Sequence, residues 1–309
     1  MLSFIGRRFF QVIPTLLGVV LVTFFLMRLI PGDPTAMIGG QTISDEVRNR
    51  LRAEWHLDDP PLMQLYHYVK GLPKGDMGVS MRLNVPVSER IAGAFVNTMY
   101  LGLAAFVISV TFGLSLGIMA ALTKGTFLDR GVLAISLLFI STPVFVVGIV
   151  LIILAVAVKY PYFSGTGGDT LDLRYLLLPA VTLGSRSIAY LARMTRSAIL
   201  EVGNADFLRT ARAKGLSETM VVFKHQMRNA MIPITTVIGL NFADYLTGAI
   251  LTESIFQWPG IGLEVRKAIE FRDLPVIMGV VLFVTVLFVT INFVVDLLYA
   301  WFDPRIRYS

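Results

Sequence analysis

Arg209, Arg212 and Lys214 fall within six residues of one another, and Gly215, Ser217 and Glu218 follow directly. Guanidinium and ammonium groups set this close make charge-assisted hydrogen bonds to carboxylates or phosphates. The rest of the chain offers little for covalent or metal chemistry. Cysteine is absent, which excludes thiolate nucleophiles, thiolate metal sites and disulfides. The three histidines, His56, His67 and His225, all lie outside the apolar runs. No HExxH, no GxSxG and no Gly-rich Walker loop with its lysine occurs, so the chain is not expected to bind ATP itself. The expectation is a non-catalytic chain with no cofactor or metal of its own, whose chemistry is recognition.

Those cations sit inside a strongly apolar polypeptide. Of 309 residues, 55% are hydrophobic and 16% charged, against roughly 25% charged in soluble domains. Mean hydropathy is +0.71. Six apolar runs stand out, at 9–30, 98–122, 132–158, 176–199, 232–251 and 275–302. Each is long enough to cross a bilayer, some with tilt. Backbone groups in lipid must pair internally, so the runs are expected to be helices, and even hydrophobicity argues against barrel strands. The fold class read from this is all-α, integral to the membrane, with six transmembrane helices and an outward-facing loop domain after the first.

The net charge of +6 does not point to nucleic acid, because the cations follow the positive-inside rule. Arg7, Arg8, Lys124, Arg130, Arg209, Arg212, Lys214, Lys224 and Arg228 fall on one side, and Lys159, Arg174, Arg266, Lys267 and Arg272 on the other. That bias places both termini in the cytoplasm. The first run is longer than a signal-peptide core and is stopped by Pro31-Gly-Asp-Pro34, so it reads as an uncleaved span. The divisions expected are 1–30, an outer loop domain at 31–97, a transmembrane domain at 98–302 with an inner loop at 200–231, and a tail at 303–309.

Local patterns fill in these divisions. Ser44 followed by Asp45 and Glu46 reads as a helix start, and Val47, Leu51 and Trp55 recur on one face. Asp59-Pro-Pro61 ends that helix, and Gly71, Pro73, Gly75 and Gly78 mark turns. This loop is either a structured cap or a docking surface. Ser109, Gly113 and Gly117 put small residues on one face of the second span, where another helix can approach closely. In the inner loop, 206–214 reads as a short helix ended by Gly215 in the left-handed conformation. Ser217 caps a second helix, with Met220, Phe223, Met227 and Met231 as its apolar stripe. Helix connections usually take about 2–8 residues, so a basic loop this long, hinged by glycine, needs more than charge placement to explain it.

This stretch resembles the EAA loop of ABC-type importer permeases. The form Arg209-Thr-Ala-Arg-Ala-Lys-Gly-Leu216 is similar to that of dipeptide, oligopeptide and nickel permeases. Further likenesses run along nearly the whole chain, in order: Pro31-Gly-Asp-Pro34, Leu57-Asp-Asp-Pro60, Gly75-Asp-Met-Gly-Val-Ser80, Arg193-Met-Thr-Arg196, Arg228-Asn-Ala-Met-Ile-Pro233, Trp258-Pro-Gly-Ile-Gly262 and Asp303-Pro-Arg-Ile-Arg-Tyr308. The pattern is most similar to the B-type subunit of dipeptide permeases. Arg209-Thr-Ala stands where the general motif has Glu-Ala-Ala, so the acidic lead residue is missing. The resemblance implies a type I importer fold in the inner membrane, forming half of a pathway for di- or oligopeptides. Its implied partners are a second permease, two ATPase subunits that bind ATP and magnesium, and an extracytoplasmic binding protein. It implies that Arg209, Thr210, Ala211, Arg212, Ala213, Lys214, Gly215, Leu216 and Ser217 meet the ATPase, with Ala211 and Gly215 allowing close approach. Nickel, glutathione or another small solute remains open as cargo.

Two charges lie inside the spans. Arg186 and Asp244 sit at depths of roughly 15 Å and roughly 10 Å at helical rise. Buried membrane charges face a partner or a cavity, so the two pair, are satisfied separately by neighbours or water, or line a pathway. Asn292 and Asp296, one turn apart, are expected to bond between helices, and Tyr299 and Trp301 to anchor at an interface. A secondary transporter or channel would usually show more spans with inverted repeats or a repeated pore-lining ring, and six spans with a large inner loop fit half of a pore better.

Overall fold

Long apolar runs satisfy their backbone by forming helices, and the computed structural model is helical, with no strand among the described residues. It describes residues 2–29, 35, 44–161, 172–247 and 249–302; the side chains of residues 2–12, 240–244 and 294–302, and a few between, fall outside that description. In chain order the helices are α1 (Leu2–Leu29), α2 (Asp45–Glu54), α3 (Pro61–Gly71), α4 (Val87–Leu122), α5 (Phe127–Ser141), α6 (Val144–Ala157), α7 (Leu173–Val202) and α8 (Asp206–Ala213). A turn at Glu218–Met220 and a π-helical turn at Val221–Gln226 lead into α9 (Met227–Thr247). Then come α10 (Ile250–Phe256), α11 (Ile261–Phe271) and α12 (Leu274–Phe302).

Among the described residues three helices are long and apolar enough to cross a membrane: α4, α7 and the Leu274–Ile291 part of α12. The run at 132–158 differs from the single continuous span expected of it. It is broken into α5 and α6, bent by 109°, and makes a fourth span only if the two are taken together. The cause is local. Pro143 has no N–H to continue the ladder, Thr142 turns extended at φ −89°, ψ 129°, and its hydroxyl donates back to the Leu138 carbonyl at 2.8 Å. The described apolar part of the first run, Ile13–Leu29, is shorter than a full span.

The chain divides into two compact units, one of residues 1–97 with 259–309 and one of 98–258. In the first, Val20 and Phe24 of α1 pack on Met278 and Leu282 of α12. Leu65, Tyr68 and Val69 of α3 close over them, so α3 carries the apolar face of the segment between α1 and α4. The face read on α2 is less covered: Val47 is exposed, and Leu51 and Trp55 are half-buried. The cap did form, with the Val47 N–H bonded to the Ser44 hydroxyl at 3.4 Å. Burial pushes the Tyr68 phenol well above its ordinary value.

The turn after α3 is tied down by a buried carboxylate. Asp273 accepts from the Ser80 hydroxyl at 2.5 Å and from the Met81 and Arg82 amides at 3.1 and 3.4 Å. Gly75 and Gly78 take φ of +76° and +86° to make that turn. Arg90 pairs with Glu264, and the Arg82 guanidinium lies 3.5 Å from the centre of the Phe271 ring.

In the second unit the small-residue face of α4 meets α7. A Cβ on Gly113 would lie 2.7 Å from the Leu191 Cβ, and one on Gly117 2.5 Å from the Thr195 Cβ and 2.6 Å from the Ala192 carbonyl. Gly184 answers from α7, with only 3.1 Å to the Ala105 carbonyl. Ser109 accepts a hydrogen bond from the Tyr245 hydroxyl at 2.8 Å. Gly117→Val is therefore expected to push α4 from α7 and to cut the yield of folded, detergent-stable protein about fivefold by fluorescence size exclusion. A normal profile for that variant would contradict the close contact.

Candidate functional site

The inner loop folds into two short helices joined by a glycine. α8 starts with Asp206 in its first turn, where the helix dipole favours an anion, and carries Arg212 in its last. Gly215 stops it at φ +78°. The Leu216 amide reaches back to the Ala211 carbonyl at 3.4 Å and the Gly215 amide to Arg212 at 2.9 Å. These two bonds form a Schellman cap, which satisfies carbonyls the helix would otherwise leave open. Ser217 then accepts from the Met220 amide at 3.4 Å and starts the next helix, with Glu218 in its first turn. Sequence and structure agree on both boundaries to within a residue.

The inner side of this pair is a small apolar knot. Leu208, Ala211 and Val221 are buried together, with Val202 and Leu216 against them. Complete burial of a leucine such as Leu208 is worth about 1.5–3 kcal/mol, so the pair is held as a body rather than hanging as a loop. Ala211 is thus buried within the chain. Arg209, Thr210, Arg212, Ala213, Lys214, Gly215 and Ser217 are exposed, and Leu216 is half-buried.

The cations are not equivalent. Arg212 donates twice to Glu218 across the hinge, at 3.0 and 2.7 Å. Those hydrogen bonds raise the guanidinium and lower the Glu218 carboxyl from their ordinary values. Both side chains are exposed, so the pair orients the two helices more than it stabilises them. Among the described residues, Arg209 has only a loose contact to Asp206 at 3.6 Å, and Lys214 has no carboxylate within ion-pair distance. Arg209 and Lys214 therefore present the free positive charge of this face.

The apolar stripe expected at Met220, Phe223, Met227 and Met231 forms only in its second half, where Met227 and Met231 pack against buried Ala198, Ile199, Ala230 and Ile234. Met220 and Phe223 are exposed, while Val221, Gln226 and Ala230 are buried instead. The π turn is the reason: it fits more residues into each turn than the 3.6 of an α-helix, so α-helical spacing misassigns the faces across it. Phe207, Met220 and Phe223 are exposed as well, so this pair of helices shows solvent both cations and large apolar side chains. Sequence reasoning missed Phe207, which no periodic pattern singles out in an eight-residue helix.

It also missed a buried ion pair between α5 and α7. Asp129, buried in the first turn of α5, receives the Arg196 Nε at 2.5 Å, its second nitrogen at 2.8 Å and the Gly125 amide at 2.8 Å. The hydrogen bonds from Arg196 and then from Gly125 hold its carboxyl down at about 2. Glu253, fully buried in α10, accepts from the Thr98 hydroxyl at 2.7 Å. Of the charges read inside the spans, Arg186 is exposed on α7 with no ion pair among the described residues, and the side chain of Asp244 lies outside them. The Pro31–Pro34 and Asp303–Tyr308 motifs, and the side chains of Asn292, Asp296, Tyr299 and Trp301, lie outside them too.

Comparison with known proteins now bears on this arrangement. Residues 113–308 match the family described as binding-protein-dependent transport system inner membrane component, and residues 1–101 match the N-terminal model of such membrane components. The di/tripeptide transport system permease protein DppB of Pseudomonas aeruginosa is 43% identical over 335 aligned positions, covering all of both chains. The dipeptide transport system permease protein DppB of Escherichia coli K12 is 39% identical over 339 positions, again covering both. The glutathione transport system permease protein GsiC of Salmonella choleraesuis is 40% identical over 309 positions, with both chains fully covered. With matches to both family models and relatives this similar from end to end, the chain belongs to the inner membrane components of binding-protein-dependent transport systems.

Proposed function

We propose that this chain is one of two permeases forming the pathway of an ATP-driven importer of short peptides. The observation that carries this reading is 39–43% identity along the full length to dipeptide and di/tripeptide permeases. In the proposed arrangement six spans cross the inner membrane with both termini in the cytoplasm. A second permease completes the pathway, two ATPase subunits bind ATP and magnesium, and an external binding protein delivers cargo. The exposed face of Arg209, Lys214, Phe207, Met220 and Phe223 meets the ATPase, with Thr210, Ala213 and Ser217 around it. Closure of the ATPase pair on ATP pushes the α8 pair, and the buried knot at Leu208, Ala211 and Val221 passes that push to the helices behind it.

Deleting the gene is expected to lower ATP-dependent uptake of a radiolabelled dipeptide at least 20-fold, with recovery on complementation. Unchanged uptake would dismiss the peptide reading. A second cargo is favoured by one observation: GsiC aligns over 309 positions, the length of this chain, whereas the DppB relatives need 335 or 339 and hence gaps. Glutathione is itself a tripeptide, so excess glutathione competing more strongly than excess dipeptide would move the assignment to it.

Arg186 is proposed to line the pathway, since an exposed arginine on a span needs water or a partner of opposite charge. It would meet the carboxylate end of a peptide, with Asp244 on the ammonium end or as the arginine's own partner. Arg186→Gln is expected to raise the KM for peptide uptake at least tenfold with normal assembly. Full recovery by exchanging Arg186 and Asp244 would instead establish an internal pair.

A further inference from the structure

We propose that Gln226 is a positioning residue that, through the π turn Val221–Gln226, fixes the rotation of the α8 pair on α7 and α9 so that all three move as one body. The proposal rests on the coupling reading above. Gln226 is buried, and its amide donates to the Ile199 carbonyl near the end of α7 at 2.7 Å. That carbonyl already accepts from the Gly203 amide at 3.0 Å, so it does not need the glutamine. What the bond secures is the glutamine, and with it the turn. Gly203 leaves the room: a Cβ there would stand 3.0 Å from the same amide nitrogen. The other end of the turn is pinned as well, because Val221 is fully buried against Leu208 and Ala211.

Pinning both ends matters because of what a π turn does. It takes up an extra residue without rotating the segments on either side. If it relaxed to α-helix, everything before it would rotate by about 100° relative to α9. Arg209 and Lys214 would then leave the face that meets the partner. The side-chain amide of Gln226 therefore sets the phase between the coupling helices and the spans, and the push reaches α7 and α9 together.

The test uses the complete importer, reconstituted with its ATPases. Gln226→Leu keeps the volume and removes the donor. Peptide carried per ATP hydrolysed is expected to fall at least fivefold, and an unchanged ratio would overturn the proposal. A second variant does not depend on that one folding. Because the chain has no cysteine, Gly203→Cys with Gln226→Cys can be bridged selectively by a short methanethiosulfonate reagent. The bridged complex is expected to keep at least half its uptake; a loss above tenfold, reversed by reductant, would show that the contact opens during the cycle and would defeat the one-body claim. Lack of ATP-driven uptake in the parent would count against the importer reading alone. In that event hydrogen exchange at 221–226 decides, expected to quicken at least tenfold in Gln226→Leu, with no change overturning the tether.

Discussion

Gly215→Val is expected to reduce ATP-driven uptake at least 100-fold while leaving membrane insertion intact. The reason is conformational. Gly215 holds φ +78°, and a Cβ built there meets nothing within 4 Å. Crowding within the chain is therefore not the obstacle. An L-residue in this region costs about 1–2 kcal/mol, and a β-branched one fits it worst. Valine would let α8 run on past Lys214, dissolve the two cap bonds to Ala211 and Arg212, and break the paired geometry that holds Arg212 to Glu218. Asparagine visits the left-handed region readily, so Gly215→Asn is expected to stay within threefold of the parent. The two substitutions separate hinge geometry from close approach of a partner. Should Gly215→Asn prove as damaging as Gly215→Val, a partner pressing on that position is the better account, and the hinge explanation is lost.

The second large effect concerns the Asp129–Arg196 pair. Asp129→Leu, or Arg196→Leu alone, is expected to lower the recovery of folded permease more than tenfold. The double variant is expected to recover to within threefold of the parent. Each single change leaves a buried group without its partner, whereas removing both removes the stranded charge. The geometry supports a strong pair: two nitrogens of Arg196 grip both carboxylate oxygens, and the Gly125 amide adds a third bond. A double variant no better than either single one would assign Asp129 some other task. The pH dependence follows in sign. The folded carboxyl is held at about 2 against an ordinary 3.8, so its contribution is complete above the ordinary value and is lost only as pH falls through about 2. Thermal stability of the purified protein in detergent should therefore show no loss from this pair between pH 8 and about pH 5. A loss confined to the parent in that interval would contradict it.

Much of the site was legible because its signals are local. A serine before an acidic residue caps a helix, and a glycine after a basic turn ends one, wherever the chain is placed. Ser44, Gly215 and Ser217 behave as their neighbours predict. The Ser109–Gly113–Gly117 face was legible for a similar reason: small residues at four-residue spacing leave a groove on any helix, although only the structure names Leu191 and Thr195 as what fills it. The π turn was not legible. Its preference is set by what Val221 and Gln226 can reach, namely Leu208, Ala211 and the Ile199 carbonyl, and those neighbours come from other helices. Reading it as α-helix put Met220 and Phe223 on the apolar stripe, whereas both are exposed and Gln226, which no pattern singled out, is buried.

By itself, the sequence determined that this is a chain of long apolar helices and that a glycine-hinged basic helix pair interrupts them. Those properties depend on composition and on contacts within a few residues. Only the tertiary structure decided which cations stay free, because Arg212 is claimed by Glu218 and Arg196 by Asp129, and neither pairing has a fixed spacing in the chain. It also decided that Ala211 is buried and that the run at 132–158 breaks at Thr142 and Pro143 rather than crossing straight. Burial and ion pairing are properties of surfaces brought together from distant segments, and no local pattern in the chain specifies them in advance.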